Sequence, residues 1–237
     1  MPKIAIVTGA SSGVGRATAI SLAAAGWDVT LIARRQSALE KTVEMAPAVA
    51  RARMHLATGD VVDKSFVEAT VKTVQAKHHR IDALVNAAGT NIPDRSLEKL
   101  TDQRFHDVFD VNLTGALNTI QAVLPTMRKQ QGGTIVNINS IAGQHASVLS
   151  GASYVMSKFA LAGLTQSINA EEAKHNIRAT SIFPGDIHTE LLEKRPTPPP
   201  AEARAKMLQP QDIADCVLLA LTLPPRAVVE ELRIVPR

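Results

Sequence analysis

Tyr154 and Lys158 are the residues whose types and spacing most directly suggest chemistry, and Tyr154 is the only tyrosine in the chain. On a helix, positions i and i+4 share one face, a turn apart. A phenol beside a fixed ammonium is expected to have a lowered pKa, because the positive charge favours the phenolate. Such a pair can give a proton to an oxygen, or take one from it, near neutral pH. The same spacing also occurs in exposed aromatic–lysine pairs, so the elements around it must decide between the two readings.

Those elements alternate. Short apolar, β-branched runs at Ile4–Thr8, Val29–Ala33, Met54–Thr58, Ala83–Asn86, Gly133–Asn139, Arg178–Phe183 and Leu232–Val235 read as strands. Segments of helical period lie near 13–25, 36–46, 63–78, 97–129, 152–175 and 210–222. The alternation predicts an α/β fold, a doubly wound parallel sheet of about seven strands with helices on both faces. Strands that are apolar almost throughout fit a sheet buried on both sides. At 237 residues the whole chain, 1–237, suits a single domain.

Composition sets limits on function. Hydrophobic residues make up 45% and aromatics only 3%, so Val, Ile, Leu and Ala must supply the core. No apolar run approaches the roughly 18 residues of a membrane helix, and the first residues show no signal-peptide pattern. The single cysteine, Cys216, cannot form an internal disulfide. This fits a reducing cytosol and gives a cytoplasmic expectation. The net charge of +4 comes from scattered pairs such as Arg34-Arg35 and Arg128-Lys129, without a basic block. That argues for solubility charge, with local sites for small anions, rather than nucleic-acid binding.

Thr8-Gly9-Ala10-Ser11-Ser12-Gly13-Val14-Gly15 follows the first strand and opens a helix. Its glycines permit a tight turn and close approach of backbone to a ligand. The helix N-terminus offers free N–H groups and a positive dipole end to a pyrophosphate. At the end of the second strand, Leu31-Ile32-Ala33-Arg34-Arg35 holds no acid. In dinucleotide folds an acid there binds a ribose 2′-hydroxyl, whereas arginine accommodates a 2′-phosphate. Two solvated arginines are the plainer reading; an NADP(H) site is the functional one.

The chain then carries Asp60 after the third strand, Asn86-Ala87-Ala88-Gly89 after the fourth, and Asn112 in the fifth helical region. Ser140 follows the fifth strand, then Tyr154-x-x-x-Lys158, and Pro184-Gly185-x-x-x-Thr189 follows the sixth. In this order the motifs resemble the short-chain dehydrogenase/reductase family from Lys3 to Val235. The resemblance implies a Rossmann-type fold and a catalytic set of Asn112, Ser140, Tyr154 and Lys158. Tyr154 would be the general acid in ketone reduction and the general base in alcohol oxidation. Lys158 would lower its pKa and hydrogen-bond the nicotinamide ribose, Ser140 would hold the substrate oxygen, and Asn112 would hold a water in a proton relay. The cofactor would lie along Gly9, Ser11, Ser12, Gly13, Val14, Gly15, Arg34, Arg35, Asp60, Val61, Asn86, Ala87 and Gly89. Pro184, Gly185, Ile187 and Thr189 would complete the cleft, the last two at the nicotinamide carboxamide. Ala87 stands where the family more often has a second asparagine, and Asp186 and His188 bring charge and an imidazole near the nicotinamide.

The stretch 186–209, with Pro196-Thr197-Pro198-Pro199-Pro200, reads either as a stiff connection or as a substrate lid. Substrate contacts are expected from Ser140, Gln144, His145, Tyr154 and Leu191. Lys194 and Arg195 are further polar candidates, and that basic pair would suit a carboxylate. The C-terminal portion resembles the branch acting on 3-hydroxy acids such as serine. The expected activity is NADP(H)-dependent interconversion of a carbonyl and an alcohol, with no metal. A 3-oxoacyl-thioester reductase and a non-catalytic NADP-binding scaffold are the alternatives. Family members usually pair through the helices near 102–129 and 152–175, which implies a homotetramer or dimer.

Overall fold

Alternate residues along the central strands go to opposite sides of the sheet, as a two-residue period requires. Ala5 and Val7 join one buried cluster with Leu31, Val85 and Val136, whereas Ile4 and Ile6 join another with Ile32, Leu84 and Ile135. Helices must therefore cover both faces. The structure, a computed structural model, describes residues 2–237. Its strands are β1 (Ile4–Thr8), β2 (Asp28–Ala33), β3 (Met54–Thr58), β4 (Ala83–Asn86), β5 (Gly133–Ile138), β6 (Ile177–Pro184) and β7 (Glu231–Ile234). All pair in parallel in the order β3-β2-β1-β4-β5-β6-β7. The order reverses between β1 and β4, and a crevice forms there beyond the carboxyl ends of the strands.

The helices are α1 (Gly13–Ala24), α2 (Gln36–Met45), α3 (Ala48–Arg51), α4 (Lys64–His78), α5 (Asp102–Phe109), α6 (Gly115–Gln130), α7 (Ala152–Glu172), α8 (Ala201–Ala205) and α9 (Pro210–Thr222). Their starts follow local chemistry. Asp63 accepts the Phe66 N–H at 3.1 Å to cap α4, and Gln209 with Asp212 forms a reciprocal cap on α9 with Pro210 in its first position. Helix α2 ends before Pro47, which forces Ala46 into extended backbone.

The expected single helix over 97–129 is divided. A 3-10 turn at Leu97–Lys99 precedes Thr101, whose hydroxyl caps α5 by accepting the Arg104 N–H. A π turn, Asp110–Thr114, then joins α5 to α6. The segment 186–209 also departs from a plain connection. The Leu208 N–H donates to the Asp186 carbonyl at 3.0 Å and the His188 N–H to the Leu208 carbonyl at 2.8 Å, so the ends of this loop are held together. Between them lie a 3-10 turn, Glu190–Lys194, and α8.

Left-handed backbone divides between the two ends of the sheet. Gly9 and Gly13 adopt it beyond the carboxyl end of β1. His79, Gln131 and Asn176 adopt it at helix ends just before β4, β5 and β6.

Candidate active site

The crevice at the β1–β4 reversal is a cleft of about 530 Å³. It is lined by the turn Gly9–Gly15 without Ala10, by Arg34 and Arg35, by Asp60 and Val61, and by Ala87 to Thr90. Tyr154 and Lys158 line it further along, with Ile187, Thr189, Leu191 and Lys194 from the loop. The turn is shaped for close packing. A Cβ on Gly9 would lie 2.7 Å from the Ala88 nitrogen, and one on Gly13 would lie 3.1 Å from the Thr189 methyl. Helix α1 begins without a side-chain capping bond and with no acid in its first turn. Its N-terminal N–H groups are therefore available to a phosphate.

Arg34 and Arg35 stand at the end of β2 with Arg34's side chain 71% exposed. The protein's own carboxylates lie near them, Asp60 at 3.8 Å from Arg34 and Glu190 at 3.5 Å from Arg35. Exposed pairs at such distances hold little energy, so a 2′-phosphate can compete for both guanidiniums. The residues present thus fit a dinucleotide phosphorylated at the 2′ position. Among the described residues, no cluster of His, Cys, Asp or Glu could hold a metal ion.

The groups expected to handle protons lie on α7 and at the end of β5. Lys158 is only 3% exposed; its ammonium donates to the Ile138 carbonyl at 2.8 Å and lies 5.6 Å from the Tyr154 ring centre. Burial lowers its pKa to about 8. The expected lowering of the Tyr154 pKa by Lys158 is corrected. Burial dominates and raises the phenol's pKa, and the opposing influences are Ser140, Arg95 and Arg195. The physical reason is desolvation: a phenolate in these surroundings loses more hydration than nearby charge returns.

Asn112 is buried within the π turn. Its amide donates to the Thr90 carbonyl at 3.1 Å and to the Ser157 hydroxyl at 3.0 Å, and accepts the Thr90 N–H at 2.7 Å. With both amide hydrogens engaged, the side chain anchors the Thr90 loop to α7. The Gly115 N–H reaches back to the Asp110 carbonyl across the π turn, a register that displaces the usual carbonyl pairing around Asn112.

Ser140 is held by a buried polar chain that the sequence reading did not find. Thr119 donates to Asn86 at 2.7 Å, Asn86 to Asn137 at 3.0 Å, and Asn137 to Thr165 at 2.9 Å. Thr165 meets Ser181, which accepts from Asn139, and the Asn139 oxygen receives the Ser140 N–H at 3.0 Å. Buried polar groups that are all paired rigidify their surroundings. Asn86 accordingly sits inside the sheet and does not line the cleft, and neither do Pro184, Gly185 and Asn112, whereas Ser140 lies beside the Tyr154 phenol at its end. Gln144 reaches Glu231 at 3.5 Å and His145 is exposed, and neither is among the residues that line the cleft. Arg95 is the other omission. It belongs to no periodic segment, and only the fold places it near Tyr154.

The geometry defines a doubly wound dinucleotide-binding fold with a buried lysine and a tyrosine at one end of its cleft. The short chain dehydrogenase family model matches residues 3–199, and the chain belongs to that family. An uncharacterized oxidoreductase of Staphylococcus aureus strain MW2 is 35% identical, covering 99% of this chain and 97% of the relative. A metagenomic short-chain oxidoreductase solved with NADP superposes with a TM-score of 0.84 at 29% identity, over 99% of this chain and 97% of that one. The closed form of a serine dehydrogenase with NADP+ gives a TM-score of 0.87 at 25% identity, over 98% and 94% of the two chains.

Proposed function

We propose that the protein is an NADP(H)-dependent oxidoreductase interconverting a carbonyl and a secondary alcohol, with Tyr154 as the proton donor in reduction. The observation that carries this reading is the placement of Tyr154 and Lys158 on one turn of α7, lining the same cleft as the uncapped N-terminus of α1. When bound, the cofactor supplies or accepts the hydride. The α1 N-terminus and Arg34 with Arg35 hold its phosphates, and Lys158 orients its ribose. Tyr154 donates its hydroxyl proton to the oxygen that becomes the alcohol, and Ser140 steadies that oxygen. In the reverse direction the phenolate takes the alcohol proton.

Burial keeps the phenol protonated at neutral pH, which suits reduction; oxidation needs the phenolate and so gains with rising pH. The loop 186–209 acts as a lid, since its 189–194 portion lines the cleft while its ends are pinned to each other. The NADP-bound state of both structural neighbours supports the cofactor assignment.

Tyr154→Phe should lower ketone reduction about 100-fold or more while NADPH affinity, read by fluorescence titration, changes little. Removing Arg34 and Arg35 together should weaken NADPH about tenfold or more and leave NADH nearly unaffected. Full turnover in the phenylalanine variant would overturn the proton-donor role.

A further inference from the structure

Residues 189–194 cross the mouth of the cleft as a strap. At one end Thr189 stands over the phosphate turn, close to Gly13. Glu190 then reaches Arg35, beyond β2, at 3.5 Å. At the other end the Lys194 ammonium donates to the Thr90 hydroxyl at 2.6 Å. The turn follows β1 and Thr90 follows β4, the two strands between which the cleft opens. Thr90 is itself fixed, since Asn112 holds both its N–H and its carbonyl. Lys194 thus spans the cleft, tied to one wall through the strap and to the other through its ammonium. Its backbone is held as well. The Lys194 carbonyl accepts from Arg95, which is 6% exposed and also donates to the carbonyls of Ile92 at 2.7 Å and Leu149 at 2.9 Å.

Four cationic side chains line the cleft: Arg34, Arg35, Lys158 and Lys194. Two carboxylates line it too, and each faces an arginine, Asp60 with Arg34 and Glu190 with Arg35. Lys158 is occupied at the tyrosine end by the Ile138 carbonyl. The other acids near Lys194 are also committed, Asp186 to Arg195 and Glu193 to Arg204. Lys194 therefore makes no ion pair among the described residues, and its partner is a neutral hydroxyl. Its place along the cleft is intermediate. The strap begins near Arg35, whereas a Cβ on Gly89, the residue before Thr90, would lie 3.9 Å from the Lys158 nitrogen. Between the 2′-phosphate at one end and the nicotinamide at the other, a dinucleotide carries its pyrophosphate.

We propose that Lys194 clamps the cofactor pyrophosphate from the strap, across the cleft from the N-terminus of α1. An ammonium has three donors, so a phosphate oxygen can join or replace the Thr90 hydroxyl. The exchange turns a bond to a neutral group into a charge-assisted bond to an anion, which is the stronger kind. Lys194 then serves the cofactor and not a substrate carboxylate. Its grip is common to NADPH and NADH, because both carry the pyrophosphate. Arg34 and Arg35 meet only the 2′-phosphate. Overall affinity and the choice between the two dinucleotides thus rest on separate cations.

The clamp rests on the NADP(H) reading, and the test separates the two. Dissociation constants for NADPH and NADH are measured by fluorescence titration for the wild type, Lys194→Gln, Lys194→Met and Lys194→Arg. Glutamine keeps a donor for Thr90 but no charge, and methionine keeps neither. Both variants should weaken NADPH and NADH by the same factor, about tenfold, and Lys194→Arg should recover most of the affinity. The loss should shrink as NaCl is raised, because salt screens an exposed charge contact. A loss confined to NADPH would place Lys194 at the 2′-phosphate and overturn the pyrophosphate clamp. A loss in Lys194→Met alone would make the Thr90 bond, and not the charge, the active element, and overturns it too. So does wild-type affinity in all variants, which leaves the oxidoreductase reading standing. A wild-type protein that binds neither dinucleotide overturns both.

Discussion

Lys158 holds a charge that the fold leaves nearly unneutralised, with a single carbonyl as its protein partner. The energetic sign follows from its pKa, which is about 8 in the folded chain against an ordinary 10.5. Between those values the unfolded chain binds the proton and the folded chain has lost it, so folding stability rises with pH. Below about 8 both states bind it and the full penalty applies, roughly 3 kcal/mol. Lys158→Met should therefore stabilise the cofactor-free protein at pH 7 by about 1–3 kcal/mol and flatten its gain from pH 8 to 10 relative to wild type. Urea unfolding at several pH values measures both, and a destabilised methionine variant would contradict the argument. The same variant should lose turnover, since the ammonium proposed to orient the ribose is gone. Tyr154 shows why residue chemistry was only half legible beforehand. Its partnership with Lys158 follows from local spacing, but the direction of its pKa shift depends on burial, a property of the assembled fold.

At the scale of elements, the turn between β1 and α1 is the tightest part of the site. A Cβ on Gly15 would collide with the Gly9 carbonyl oxygen and lie 2.6 Å from its carbon, both rigid backbone atoms. Gly15→Ala should cost about 1–3 kcal/mol and weaken NADPH binding, read by chemical unfolding and fluorescence titration. Gly163, within α7, has nothing within 4 Å of such a Cβ. Gly163→Ala should instead stabilise by roughly 0.5–1 kcal/mol. The strands β1, β3 and β4 and the helix α9 coincide with the sequence expectation, because they carry strong local signals: apolar β-branched runs, or Pro210 beside a capping pair. The division of 97–129 was illegible by period alone, since apolar residues keep helical spacing through Thr101 and through the π turn. Arg95 and the chain from Thr119 to Ser140 were illegible for another reason. They join residues distant in sequence, and no local pattern encodes such contacts.

For the whole molecule, the carboxyl end of the sheet collects the turn, the arginines, the tyrosine and part of the loop 186–209, which is why motifs spread from Gly9 to Lys194 line one cleft. Helix α7 carries the tyrosine and lysine on its inner side. On its outer side Met156 and Phe159 are 42% and 46% exposed. Apolar side chains three apart on a long helix suit burial against another copy. Light scattering should give a mass that is a multiple of 25.3 kDa, and Phe159→Glu should reduce it; a wild-type monomer would refute the assembly. None of the described helices is long and apolar enough to cross a membrane.

The left-handed residues His79, Gln131 and Asn176 all sit at the strand-entry side of the sheet, opposite the cleft. Each pays the steric toll of a Cβ in that conformation, about 1 kcal/mol before glycine's own entropy is counted. The molecule thus keeps adjustable strain on one side and reactivity on the other. Glycine at those three helix ends offers a route to a more heat-tolerant catalyst in which no residue of the cleft is altered, so durability and specificity can be tuned as separate traits.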